Sequence, residues 1–247
     1  MSHQLYFSPH LDDAVFSCGG LIARQAARGD LVAVFSVCAG DPPVGELTPF
    51  AFELHRRWGG EGSPIAARRA EDRVACGRLG ASAHHYNLAD AIYRRDAKGT
   101  ALYPDEPSLF ERLKPEDLHW IQTISEALRG AAPPGASIYC PLGIGGHVDH
   151  RLTRLAAEAI GRPLTYYREL PYAAREGELP GDLPLPSGQK ALVDLIPEEI
   201  EAWAAAIMEY RSQLTTFWPE TVTPEAIMNE IGGYLQKLGG FPLISVA

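Results

Sequence analysis

The chain has 247 residues, is 46% hydrophobic and carries a formal net charge of −9. It is long enough to bury one large core, so a single domain over 1–247 is expected. The acidic balance excludes a nucleic-acid or anionic-membrane partner, since both call for a basic patch, but leaves an uncharged or sugar-like substrate open. No stretch approaches the roughly 20 apolar residues of a membrane span, and the start, Met1-Ser2-His3-Gln4, lacks the basic and apolar regions of a secretion signal. A cytoplasmic location is therefore expected. Cys18, Cys38, Cys76 and Cys140 are widely spaced and show no C-x-x-C pairing, which reads as reduced core thiols.

Leu5–Phe7 predicts a first strand, and Val15, Phe16, Leu21, Ile22 and Ala26 recur at helical spacing up to Gly29. The continuous apolar run Leu31–Val37 then predicts a buried strand. Strand, helix and buried strand in this order make a βαβ unit with a parallel sheet. Asp41–Pro64, rich in Pro, Gly and aromatic residues, has no steady period and reads as a long functional loop. A helix is predicted from Ile65 to Leu79, a short strand around His84–Leu88, a helix from Leu118 to Leu128 and a strand over Ser137–Cys140. Arg151–Ile160 is the next helix, and Leu164–Tyr167 reads as the last parallel strand. Pro171–Pro186 is an ordered excursion over the surface. Pro197–Leu214 is one helix with Ile200, Trp203, Ile207, Tyr210 and Leu214 on one face, and Pro224–Leu238 adds a further helix. The fold class is α/β, a Rossmann-like, mostly parallel sheet flanked by helices on both faces.

Two strand-to-helix junctions carry chemistry: Pro9-His10-Leu11-Asp12-Asp13 and Gly146-His147-Val148-Asp149-His150. An aspartate that caps the coming helix would explain one carboxylate of the first junction, but neither His10 nor the second acid. Parallel strands present their C-terminal ends on one sheet edge, so the two loops can meet there although far apart in sequence. Two imidazoles and a carboxylate are a three-ligand set for a catalytic zinc ion, and such an ion lowers the pKa of its water to roughly 7. A remaining carboxylate would take the proton of that water, and a further imidazole, held by its own aspartate, would protonate a leaving amine. A divalent-metal phosphoesterase and a non-catalytic metal-binding module are the alternatives. The first loop lacks G-x-G-x-x-G, so dinucleotide binding has no phosphate cradle.

The same residues resemble the PIG-L/LmbE family of zinc-dependent N-acetylglucosaminyl deacetylases, whose pattern is H-P-D-D-E followed by a distant H-x-D-H. Arg68…Glu71 with Leu79-Gly80, Leu88-Ala89-Asp90, and Tyr210-Arg211-Ser212-Gln213 extend the likeness over about residues 4–215. The resemblance implies His10, Asp13 and His150 as ligands of one Zn2+ per chain and Asp12 as the base. It also implies His147 as the acid, oriented by Asp149, with Arg68 and Asp90 reaching the sugar. The implied substrate is a small amino-sugar conjugate losing an N-acyl, most simply an N-acetyl, group; homo-oligomerisation is left open. Leu11 and Ala14 depart from the usual proline and glutamate. Gly145 and Gly146 stand where some relatives carry a tyrosine. Specificity is expected in Asp41–Pro64, where His55 and Trp58 could stack on a sugar ring, and in Pro171–Pro186.

Overall fold

A computed structural model describes residues 1–59, 62–175, 177–218 and 222–246. The chain opens with β1 (His3–Ser8), buried along almost its whole length, as a central strand covered on both faces must be. Helix α1 (Asp13–Ala27) follows directly, and Gly29 (φ +86°) turns the chain back into β2 (Leu31–Ser36), in parallel register with β1 from His3↔Leu31 to Ser8↔Ser36.

The segment read as a long loop contains a helix, α2 (Pro49–Trp58). The residues that looked like breakers are its ends. Pro49 sits in the first turn, Thr48 Oγ1 accepts the Ala51 N–H at 3.0 Å, and Gly59 closes the helix at φ +68°. Only Ala51 is buried among its residues, so no core-facing period announces it.

The chain continues through α3 (Pro64–Arg78), β3 (Ser82–His85), α4 (Trp120–Ala131), β4 (Ser137–Pro141), α5 (Val148–Glu158) and β5 (Leu164–Tyr167). Short 3-10 turns cover 91–93, 107–110 and 115–117. Next come β6 (Gln189–Val193), α6 (Pro197–Ile207), α7 (Arg211–Phe217), α8 (Pro224–Leu238) and β7 (Phe241–Val246).

Among the described residues the strands form one seven-stranded sheet, ordered β3-β2-β1-β4-β5-β7-β6. The first five are parallel, as expected; β7 runs antiparallel to β5, and β6 antiparallel to β7. This antiparallel pair was not foreseen, because β6 is exposed at nearly every position and β7 carries Pro242. The expected helix over 197–214 is two helices. The break at Tyr210 is held by tertiary bonds: the Tyr210 hydroxyl donates to Asp72 (2.7 Å), and the Ser212 N–H to Glu71 (3.0 Å).

Alternate strand residues feed two cores. Tyr6, Val32, Val34 and Tyr167 pack with α1, α3, α6 and α8, whereas Leu5, Phe7, Ile138 and Tyr166 pack with α4 and α5. The strand order reverses between β1 and β4, so the loops after these two strands part company and leave a crevice at their C-terminal ends.

Helix α1, which starts at that crevice, is anchored by α6. The fully buried Trp203 indole donates to the Val15 and Phe16 carbonyls at 2.8 and 3.1 Å. Its ring lies so close to Gly19 that a Cβ there would stand 2.2 Å from Trp203 Cδ1. Gly19→Ala therefore has to displace the indole and is expected to cost about 1–3 kcal/mol, the usual range for overpacking, read as a lower urea midpoint with unchanged slope.

Candidate active site

At the end of β1, Ser8 Oγ accepts the Ala14 N–H (2.9 Å) and donates to the His10 carbonyl (2.5 Å), turning the chain tightly into α1. Asp12 stands at the helix N-cap, yet its side chain makes no capping bond. Capping therefore does not explain its carboxylate. Asp13 instead holds the loop: its Oδ2 accepts the His10 N–H at 2.8 Å.

The loop after β4 carries three glycines with positive φ, Gly143 (+91°), Gly145 (+82°) and Gly146 (+80°), and delivers His147 to the N-cap of α5. His147 Nδ1 accepts the backbone N–H of Asp149 at 3.1 Å. A backbone N–H can only donate, so the neutral ring carries its proton on Nε2.

Three groups converge on one oxygen. Asp13 Oδ2 lies 3.1 Å from His10 Nδ1 and 3.2 Å from His150 Nε2, besides bonding the His10 backbone. The His150 contact lacks hydrogen-bond geometry, and Nε2 is a buried nitrogen without a hydrogen-bond partner. A buried ring nitrogen of this kind is costly unless something else uses its lone pair. An N, N, O donor set around it fits a divalent ion such as zinc. Among the described residues, the groups whose ligating atoms all lie within 4.8 Å of one another are His10, His147 and His150, and His10, Asp90 and Asp149; His10 and His150 are joined to Asp13 through its Oδ2. The group with Asp90 and Asp149 needs no ion, because Asp149 is already balanced by Arg94 and by the Ala91 N–H at 3.0 Å.

Electrostatics separate the carboxylates. Burial, reinforced by Asp13 and opposed by Arg68, pushes Asp12 up to about 6. Burial would also raise Asp13, but the His150 and His10 rings outweigh it and hold the group well below the usual range. Burial and the neighbouring His10 keep His147 well below an ordinary histidine, hence neutral. His150 is pushed up to about 9, burial being overcome by Asp13 and Glu169.

All eight residues singled out in the sequence, His10, Asp12, Asp13, Arg68, Asp90, His147, Asp149 and His150, are buried around this crevice. Arg68 reaches within 3.6 Å of Asp12 and stacks 4.5 Å above the Trp58 ring. Asp90 both caps the 91–93 turn through Oδ1 and lies 3.7 Å from His10 Nε2 through Oδ2. The expected pairing of Asp149 with His147 is different in detail. The Asp149 carboxylate accepts from His10 Nε2 (3.0 Å), and only its backbone N–H touches His147. Helix geometry is the reason: residue 149 in the first turn turns its side chain away from the cap it follows.

Two residues of the centre were not anticipated. Arg94 is buried against Asp149 and Asp117, and Glu169 is buried beside His150 Nδ1 at 3.3 Å. The one available signal was position, since Glu169 lies just beyond the C-terminal end of β5 on the same sheet edge. Gln213 lines the pocket, whereas Tyr210 is committed to Asp72 behind it. His85 also serves Asp72, at 2.7 Å, away from the site.

The cavity over these groups measures about 220 Å3, less than the roughly 300–1,000 Å3 that encloses a drug-sized ligand. Its floor is polar. One wall is apolar: Phe50, Leu54 and Trp58, spaced by four along α2, line the cavity with Phe110, Tyr172 and Phe217, of which Phe110 and Tyr172 lie edge-on to His147 and His150, while Arg57 and Glu106 add charge to the lining.

Fold and site together define an α/β protein whose two switch-point loops build a buried histidine–aspartate centre of the metal-binding kind. A family described as PIG-L, GlcNAc-PI de-N-acetylase, matches residues 5–160, and the chain belongs to that family. A 2'-N-acetylparomamine deacetylase of Streptomyces fradiae is 33% identical over 180 residues, 69% of this chain; the match spans 58% of that protein's length. One of the same description from Niallia circulans is 28% identical over 87% of this chain and 82% of its own. Among solved structures, an A40926 pseudoaglycone deacetylase superposes with a TM-score of 0.76 at 28% identity, covering 98% of this chain and 94% of its own. The zinc-inhibited form of a teicoplanin deacetylase shares the fold, with a TM-score of 0.83 at 24% identity and 99% of both chains covered.

Replacing Arg94 by methionine leaves the Asp149 carboxylate buried without its cation. Breaking one side of a buried pair typically costs about 3–5 kcal/mol, so Arg94→Met is expected to lose that much in chemical denaturation. A loss under about 1 kcal/mol shows that the pair is not what balances Asp149.

Proposed function

We propose that the protein hydrolyses the N-acyl group, most simply acetyl, of an amino sugar whose remaining part is apolar. A zinc ion would be held by His10, Asp13 and His150. The observation that carries this reading is the orphaned His150 Nε2 beside Asp13 and His10, which line a cavity together with Asp12, whose side chain caps nothing, and Arg68, whose buried Nε has no partner. The relatives named as 2'-N-acetylparomamine deacetylases support the reaction class.

When bound, the metal supplies Lewis acidity toward the acyl oxygen and makes a coordinated water acidic enough to react near neutral pH. Asp12, free of any capping duty, takes the proton of the attacking water. Its raised pKa lets it hold that proton and pass it to the departing amine, because a carboxyl near 6 exchanges protons readily at neutral pH. The carbon–nitrogen bond then breaks, and the acid and free amine leave.

His147, kept neutral and with Nε2–H available, is suited to donate a hydrogen bond to the oxygen on which charge develops. This narrows its expected role as acid. Arg68 and Asp90 frame the sugar, and the Arg68 guanidinium is fixed in plane by its stack on Trp58.

The cavity is too small to enclose more than the acylamino sugar, so the rest of the substrate lies against the α2 stripe and the aromatic residues that line the cavity with it. A fully polar aglycone would leave that wall exposed. An apolar or aromatic one would cover it. Trp58→Ala is therefore expected to raise KM for an aryl N-acetylglucosaminide at least several-fold while changing KM for the free sugar much less.

Asp12→Asn is expected to lower kcat by about 10^2–10^4 while zinc stays bound, as removal of a general base does. The base must be ionised, so the parent rate should fall as pH drops through the Asp12 titration, at or below about 6, and that limb should vanish in the variant. Chelation should abolish turnover and zinc restore it. Full turnover by zinc-loaded Asp12→Asn sinks the assignment of the base.

A further inference from the structure

The Glu169 carboxylate is completely buried. Its Oε1 accepts the Gly143 N–H at 2.6 Å and lies 3.3 Å from His150 Nδ1, and its Oε2 accepts the Ile144 N–H at 3.1 Å. The two backbone donors take one carboxylate oxygen each and are themselves neutral. Burying an anion there is costly, and what the charge adds is its contact with the imidazole.

The backbone of Glu169 is fixed from both sides. Its carbonyl accepts the Ala173 N–H (2.8 Å), and the next N–H, that of Leu170, donates to Ser17 Oγ (3.1 Å) on the helix that carries Asp13. The carboxylate thus has a set position relative to Asp13 and to the glycine loop.

His10 offers a parallel. One of its ring nitrogens, Nε2, is held by the buried Asp149 at 3.0 Å, while the other, Nδ1, faces Asp13 Oδ2 at 3.1 Å. His150 repeats the pattern with its nitrogens exchanged: Nδ1 toward the buried Glu169, Nε2 toward the same Asp13 oxygen at 3.2 Å. A carboxylate behind a ligating histidine fixes the tautomer and ring plane and raises the basicity of the facing nitrogen.

We propose that Glu169 is a positioning residue for the metal centre: it holds His150 by Nδ1–H, so that the Nε2 lone pair is presented beside Asp13. This rests on the reading of His10, Asp13 and His150 as metal ligands.

The test compares zinc affinity of the full-length parent and of Glu169→Gln, by competition with a chromophoric chelator. The variant keeps the shape and one acceptor oxygen, so it loses the charge and the acceptor for one of the two N–H groups. A fall in affinity of about 10- to 100-fold is expected, with circular dichroism unchanged and the visible spectrum of the cobalt-substituted protein altered. Zinc binding and a cobalt spectrum equal to the parent's overturn the proposal. Should Glu169→Gln fail to fold, imidazole 15N–1H spectra of the zinc-loaded parent decide. An exchange-protected Nδ1–H of His150 supports the proposal, and a proton on Nε2 overturns it. A parent that binds no zinc refutes the metal reading itself, whereas a parent that binds zinc regardless of residue 169 refutes only the role of Glu169.

Discussion

Asp149 has no exposure to solvent, and an ionised carboxylate so placed must find its compensation inside the protein. Much of the centre follows from that requirement. Arg94 supplies the opposite charge and is itself buried against Asp117 Oδ2, the oxygen that also takes the Tyr103 hydroxyl at 2.7 Å. The Ala91 N–H and His10 Nε2 fill the remaining valences. A ring held this firmly from behind has one orientation left for its Nδ1. Preorganisation of that sort is what a centre working by electrostatics needs, because it leaves nothing to rearrange during reaction.

The sheet decides which residues can share such a network. Loops that follow β1, β3, β4 and β5 all leave the same edge, so His10, Asp90, His147 and Glu169 come together from distant parts of the chain. Tertiary contacts then set the angle at which they arrive. Trp203 fixes the start of α1, and the α3 acids Glu71 and Asp72 fix the junction of α6 and α7 that brings Gln213 to the pocket. The segments around Glu71 and Ser212 thus belong to one clasp, which explains why both accompany the two histidine-bearing loops.

Strands β1, β2 and β4 were legible because each carries an apolar run with a helix beyond it, whereas β3, Ser82-Ala83-His84-His85, is polar and lies a few residues before the strand expected around His84–Leu88. The meeting of the two His/Asp loops was legible because both follow strands of one parallel sheet and so leave the same edge. Other parts left no such trace. Helix α2 buries only Ala51 and sets its half-buried stripe on a small separate core around Ile65, Ile92 and Tyr103, β6 lies exposed, and Pro242 interrupts the pattern of β7. Glu169 and Arg94 are single charged residues in otherwise ordinary surroundings, and only the three-dimensional pairing with His150 and Asp149 shows what they do. The direction of the Asp149 side chain was likewise a matter of helix geometry that residue order alone does not express.

The apolar wall is carried by a segment inserted between β2 and α3, whose helix contributes no strand to the sheet and no charge to the buried network. Floor and wall are nonetheless joined at one point: Trp58 of the α2 stripe lies under Arg68, which reaches Asp12, so a change in this single excursion of the chain is felt at a carboxylate of the buried network.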